Sequence, residues 1–189
     1  MSLIINSSHQ FHQAVQLWFQ ESFESPTPPQ IQGWPPIFKK ENTLILAPTG
    51  SGKTLAAFLV CIDNLLKKLI ENNHPKGVHT LYISPLKALN YDIERNLEAP
   101  LAGIQQKAPD LNLDLPEIRV AVRTGDTPQK ERERMLRQPS HIFITTPESL
   151  HLLLTSQRAQ HILRSVQYVI VDEIHALSEN KRGTFLSLL

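Results

Sequence analysis

A chain of 189 residues is long enough to bury the core of one sizeable α/β domain, and one domain is the expectation. With 41% hydrophobic and 20% charged residues and no low-complexity tract, the composition excludes a disordered chain. A net charge of +1, from 19 basic and 18 acidic residues, excludes a global basic field, so any contact with nucleic acid has to be local.

The opening MSLIINSSHQFH has too short an apolar stretch and no basic flank for a secretory signal. No apolar run approaches the ~20 residues of a membrane span, so a cytoplasmic protein without a membrane partner is expected. Residues 9–22 follow, with Phe11, Val15, Trp18, Phe19 and Phe23 at helical spacings, and predict an amphipathic helix. Pro26, Pro28, Pro29, Pro35 and Pro36 then mark a loop and a short proline-initiated helix carrying Gln30, Trp34 and Ile37.

From Thr43 onward short apolar runs alternate with longer helical patterns, the signature of βαβ units. Strands are expected at 43–47, 78–83, 117–122, 141–145 and 167–172, with helices at 53–72, 86–105, 128–137 and 147–163, the last broken near Thr155. Residues 106–116, with Pro109 and Pro116, read as a loop. Cys61 falls within the first of these helices; as the single cysteine it excludes an internal disulfide, suits a reducing compartment and reads as small apolar filler.

Ala47, Pro48, Thr49, Gly50, Ser51, Gly52, Lys53 and Thr54 spell APTGSGKT between a strand pattern and a long helical pattern, the context in which a phosphate-binding loop is expected. Small residues let backbone N–H groups turn inward around phosphate oxygens, and the following helix start adds its positive end. Lys53 is then placed for the β and γ phosphates and Thr54 for Mg²⁺. Ala47 stands where the generic pattern has glycine. The bland alternative is a glycine-rich turn with an ordinary surface lysine.

The second element is VIVDEIH at 169–175, an apolar strand ending in two acids. Charges at the end of a buried parallel strand need a partner, and ligands of such sheets sit at that edge. Asp172 is read as the acid that holds Mg²⁺, and Glu173 as the group that orients or deprotonates the attacking water. His175 adds no metal site, because no second His or Cys lies at zinc spacing.

Ser84–Pro85, Thr127–Pro128 and Thr146–Pro147 each read as a hydroxyl N-cap followed by proline at the first helical position. In a parallel sheet these helix starts share the edge of the phosphate loop, where N–H groups favour anions. With Lys87, Arg123 and the turn Thr124–Gly125–Asp126 they are candidates for a phosphodiester track. Alternatively, the caps only stabilise their helices.

These residues together resemble the first RecA-like domain of superfamily 2 DExH-box helicases, most closely the large helicase-related (Lhr) type. The matching stretches are FESPTPPQIQGWPPI, APTGSGKT, SPLKALNYD, RTGDT, TTPESL and VDEIHAL with a trailing KRG, in family order. The resemblance implies a P-loop NTPase fold, α/β, with a parallel sheet carrying helices on both faces. It divides the chain into an N-terminal helix and Q-motif-like segment at 1–40 and a RecA-like domain at 41–189 that ends after motif II. It implies that Gln30 reads the adenine edge of ATP with Phe23 nearby, and that Lys53, Thr54, Asp172 and Glu173 act on ATP–Mg²⁺. Ser84, Pro85, Lys87, Arg123, Thr124, Gly125, Thr146 and Pro147 would lie near single-stranded nucleic acid, with DNA favoured. Family members continue with motif III and a second RecA-like domain, so that domain is an expected partner and this chain alone is expected to be an incomplete motor. A fragment that binds nucleotide or a partner without motor activity is the alternative, and a small P-loop kinase is disfavoured because it leaves Gln30 and TTPESL unexplained.

Overall fold

The computed structural model describes residues 10–73, 75–84 and 87–174, and the side chains of all of these except 87–92 and 95. It falls into two compact units, Met1–Asn73 with Ala99–Glu117, and His74–Glu98 with Ile118–Leu189.

In the first unit, helix α1 (Gln13–Ser22) starts at His12, whose Nδ1 accepts from the Ala14 N–H at 3.2 Å. Helix α2 (Pro28–Phe38) is entered through two prolines, with the Thr27 N–H donating to Gln30 Oε1 at 2.8 Å. Prolines 35 and 36 then lack the N–H groups needed to prolong it, and it ends within three residues. Helix α3 (Lys53–Ile70) is apolar around much of its circumference, burying Ala56, Leu59, Val60, Ile62, Leu66 and Leu69.

An aromatic cluster ties α1 to α2. Phe11 and Phe19 meet the Trp34 ring edge-on at 5.0 and 5.4 Å, and Phe11 also meets Phe38 at 4.8 Å. A buried acid completes the tie: Asp63 on α3 accepts from the His12 N–H at 2.5 Å and pairs with Lys67 at 2.7 Å. Burial pushes the Asp63 carboxyl above its usual range, against the Lys67 and His12 contacts that favour its charged form.

The second unit holds four parallel strands, β1 (Thr80–Ile83), β2 (Val120–Arg123), β3 (Ile142–Thr145) and β4 (Tyr168–Val171), in the order β2-β3-β1-β4. The central strands TLYI and IFIT are buried throughout, which is why they read as continuous rather than alternating apolar runs. Helix α4 (Lys87–Gln106) follows β1, helix α5 (Gln129–Arg137) follows β2, and helices α6 (Pro147–Leu154) and α7 (Gln157–Leu163) follow β3. The core of this unit joins Val78, Leu81, Ile83 and Phe143 to Met135, Leu150, Leu153, Ala159 and Ile162.

Two expectations need correction. Residues 43–47 form no strand, and Leu44 and Leu46 are 68% and 84% exposed. Their apolar pattern suits a strand, but a strand exists only where a neighbour completes its hydrogen bonds, and pattern alone does not supply one. Thr127 is not the N-cap of α5; that position is Pro128, and the Thr127 hydroxyl accepts instead from the Thr124 N–H at 2.9 Å. The expected Ser84–Pro85 cap turns on residues 85 and 86, which lie outside the described residues. Residues 106–116 also contain one short 3-10 turn, Pro109–Leu111. The break near Thr155 is observed, between α6 and α7.

Candidate nucleotide and nucleic-acid sites

The loop Ala47–Thr54 turns through two left-handed glycines, Gly50 at φ +78° and Gly52 at φ +85°, the region that only glycine enters without strain. Gly52 is the N-cap of α3, so the free N–H groups of an 18-residue helix open onto this loop. Lys53 folds over the loop, its Nζ donating to the carbonyls of Ala47 at 2.6 Å and Pro48 at 2.8 Å. The Ser51 hydroxyl donates to the Pro48 carbonyl at 2.7 Å, and Thr54 is half-buried in the first turn.

Gln30 is buried and braces this loop from behind. A Cβ on Gly52 would stand 2.9 Å from Gln30 Nε2 and 3.2 Å from Thr27 Oγ1, so the loop backbone passes close to both side chains. The same Gln30 holds the Thr27 N–H through its Oε1, and one amide therefore fixes a helix start and faces a glycine loop. Phe23 lies at the end of α1 with its ring 40% exposed and packed against Phe19 at 4.8 Å and Trp18 at 5.8 Å.

At the end of β4 both oxygens of Asp172 are engaged. Tyr82 donates its hydroxyl to Oδ2 at 2.6 Å, and the Glu173 N–H donates to Oδ1 at 2.8 Å. Tyr82 is 1% exposed, and burial, then the Asp172 carboxylate, push its pKa far upward, so it stays a neutral donor. Glu173 sits at φ +52°, a left-handed conformation that costs a non-glycine residue about 1 kcal/mol and that recurs at functional sites.

The Asp172 carboxylate suits a hard divalent cation, and each of its oxygens keeps lone-pair capacity beyond its one hydrogen bond. Among the described residues no cluster of three His, Cys, Asp or Glu is placed to hold a metal, so water and phosphate would have to complete its shell. Ala47–Thr54 belong to the first unit, Asp172 and Glu173 to the second.

The strand register brings the remaining candidates to one edge. Arg123, Thr145, Ile83 and Val171 lie in one row across the sheet, so Thr124, Thr146, Ser84 and Asp172 all leave it at the same side. Thr146 caps α6 by accepting from the Ser149 N–H at 3.3 Å, with Pro147 buried behind it, so the capping role holds there. Ser84, Thr124 and Thr146 are nearly fully buried, and the Ser84 hydroxyl has no partner among the described residues. Gly125 is exposed and Arg123 half-buried. Lys87 begins α4, and Pro85, His175 and the KRG run lie outside the described residues.

Three residues were missed from sequence. Thr27 had a readable signal, the T-x-x-Q spacing of a capping box. Tyr82 lies within a strand, 90 residues from the acid it holds, and Arg132 sits in an ERER run that reads as a solvated helix face. Arg132 donates Nε to the Thr127 carbonyl at 2.7 Å and Nη2 to the Gly125 carbonyl at 2.6 Å.

The family model for DEAD/DEAH box helicases matches residues 27–189. The ATP-dependent helicase Lhr-Core protein 2 of Thermococcus barophilus is 52% identical over 174 residues, 92% of this chain and 20% of that protein. The Lhr helicase/uracil glycosylase of Escherichia coli is 47% identical over 182 residues, 94% of this chain and 12% of its own length. The structure of the Mycobacterium smegmatis helicase Lhr bound to ssDNA and AMP-PNP superposes with a TM-score of 0.89 at 49% identity, over 96% of this chain and 22% of that one. The DEAD-box helicase Mss116, at 21% identity and a TM-score of 0.75, shares the fold. The chain thus spans about a fifth or less of the length of these Lhr relatives.

Proposed function

As a chain that belongs to the DEAD/DEAH box helicase family, the protein carries a helicase-type ATPase domain, and we propose that it is the first RecA-like domain of an ATP-dependent DNA translocase of the Lhr kind. The observation that carries this reading is the braced loop: two left-handed glycines, Lys53 at the start of a long helix, and the buried Gln30 against Gly52.

In this reading the loop N–H groups of residues 50–54 cradle the phosphates and Lys53 turns from the Ala47 and Pro48 carbonyls to the β and γ phosphates. Gln30 and the half-exposed Phe23 ring flank the adenine. Thr54 and Asp172 are the residues that would hold Mg²⁺, which would screen phosphate charge when bound. Tyr82 and the Glu173 N–H keep the Asp172 carboxylate in one orientation, and Glu173 orients the attacking water and takes its proton. Single-stranded DNA runs along the edge where Ser84, Lys87, Arg123–Gly125, Thr146 and Pro147 lie, with Pro85 a further candidate from the sequence; the Mycobacterium smegmatis relative, bound to ssDNA and AMP-PNP, supports both ligands.

A second RecA-like domain is the partner that completes the cleft, and the cytoplasm is the expected compartment. Among the described residues no helix is long and apolar enough to cross a membrane.

ATP binding and turnover of the 189-residue chain, with and without single-stranded DNA, test this reading alongside Lys53→Ala and Glu173→Gln. Nucleotide binding lost in Lys53→Ala, with turnover low or absent, is the expected outcome for one half of a motor. DNA-stimulated turnover abolished by both variants would indicate a self-sufficient motor. Absence of nucleotide binding by the unaltered chain would overturn the proposal.

A further inference from the structure

The turn Arg123–Thr127 is tightly bonded to itself. The Thr124 N–H donates to Thr127 Oγ1 at 2.9 Å, the Asp126 N–H to Thr124 Oγ1 at 3.2 Å, and the Thr127 N–H to the Thr124 carbonyl at 3.3 Å. From the sheet side, the Thr145 hydroxyl donates to the Arg123 carbonyl at 2.8 Å. The Arg132 guanidinium takes two carbonyls of the turn, those of Gly125 and Thr127, through Nη2 and Nε. A planar fork that bridges two acceptors fixes their separation, which a single ammonium cannot do.

Arg123 is the last residue of β2 and leads into this turn. It is half-buried, and among the described residues no carboxylate pairs with it. Burial, then the neighbouring Arg132 charge, lower its pKa, but a guanidinium remains charged at any ordinary pH. Two arginines therefore serve one turn at the end of β2, Arg132 engaged by its carbonyls and Arg123 with no carboxylate partner among the described residues. That arrangement suits a phosphodiester.

We infer that Arg132 is a positioning residue for nucleic-acid binding: its fork holds the Gly125 and Thr127 carbonyls so that the turn keeps Arg123 directed at a backbone phosphate. The inference rests on the reading that single-stranded DNA passes this turn.

The test is fluorescence anisotropy of the 189-residue chain with a labelled oligo-dT strand at several salt concentrations. Variants are Arg123→Ala, Arg132→Ala, Arg132→Lys, the alanine double, and Arg134→Ala as a control on the same helix, where Arg134 pairs with Glu131 at 3.5 Å. Removing one phosphate contact reduces the slope of log K against log salt by about 0.7 on a single strand. Arg123→Ala and Arg132→Ala are each expected to lose that same slope, and the double variant no more than either single, because both disable one contact. Arg132→Lys is expected not to restore it, while Arg134→Ala leaves it intact. Melting curves on each variant separate loss of the turn from loss of the fold, and Arg132→Lys keeps the readout if Arg132→Ala fails to fold. A lowered melting temperature with unchanged slope in Arg132→Ala would reduce Arg132 to a structural role and overturn the inference. Full rescue by lysine, or additive losses in the double variant, would overturn it in favour of a direct phosphate contact. No DNA binding by the unaltered chain would overturn the underlying reading and the inference with it. Binding indifferent to Arg123→Ala would leave the reading standing and overturn the inference.

Discussion

The glycine loop and the acidic strand end hold their working groups by opposite means. Around Gly52 most of the holding is local: two left-handed glycines, the Lys53 ammonium on carbonyls six and five residues back, and one brace from Gln30. At Asp172 the adjacent Glu173 N–H holds one oxygen, but the side-chain hold comes from Tyr82, 90 residues earlier and on the neighbouring strand, with Ile83 paired to Val171 to set the level. A loop built from its own residues changes shape when one of them changes. A carboxylate held by a distant partner loses orientation while its own strand stays intact.

The largest expected effect in the first region comes from the aromatic cluster that holds the Gln30 helix. Trp34 is 1% exposed and edge-on to both Phe11 and Phe19, so Trp34→Ala is expected to cost about 3–5 kcal/mol in urea unfolding. A loss under about 1 kcal/mol would mean that the aromatic cluster does not hold α1 to α2.

Gly52→Ala tests the loop itself. The added Cβ meets Gln30 Nε2 at 2.9 Å and forces a non-glycine residue to φ +85°. Strain of about 2 kcal/mol corresponds to roughly thirtyfold weaker nucleotide binding, read by titration with a fluorescent ATP analogue. Unchanged affinity would detach the loop from nucleotide binding.

Tyr82→Phe keeps the ring and deletes only the donor to Asp172. Loss of one hydrogen bond to a charged group is worth about 1.5 kcal/mol, so the Mg²⁺-dependent part of nucleotide affinity should fall about tenfold while binding in EDTA is unchanged. An equal loss in EDTA would make Tyr82 a packing residue only.

The smallest effect is on pH. Burial, acting against the Asp63 charge, lowers the His12 pKa below 6.5 in the fold, so the unfolded chain binds the proton more readily. This contribution to stability is present above 6.5 and is lost as pH falls from 6.5 through the folded value. His12→Asn, which keeps a capping side chain, should flatten that part of the stability–pH curve. Its persistence in the variant would assign the slope to another histidine.

The glycine loop, the proline-entered helix with Gln30, and the central strands at 80–83 and 142–145 were legible because each is written in neighbouring residues. Left-handed turns need glycine, first turns accept proline, and doubly covered parallel strands are apolar throughout. Residues 43–47 carried an equally good strand pattern and formed none, since a ladder needs a partner that the pattern does not name. Thr127 looked like a cap and became a clamp on Thr124, because Pro128 took the capping position.

From the residues alone came the chemistry: which groups bear charge, where glycine is obligatory, and where helices start. Only the tertiary structure decided what orients those groups, namely Gln30 against Gly52, Tyr82 on Asp172 and Arg132 across the 125–127 turn. The physical reason is range. Backbone conformation is set by sterics within a few residues, whereas a hydrogen bond that aims a side chain is made by whichever residue the fold delivers within about 3 Å.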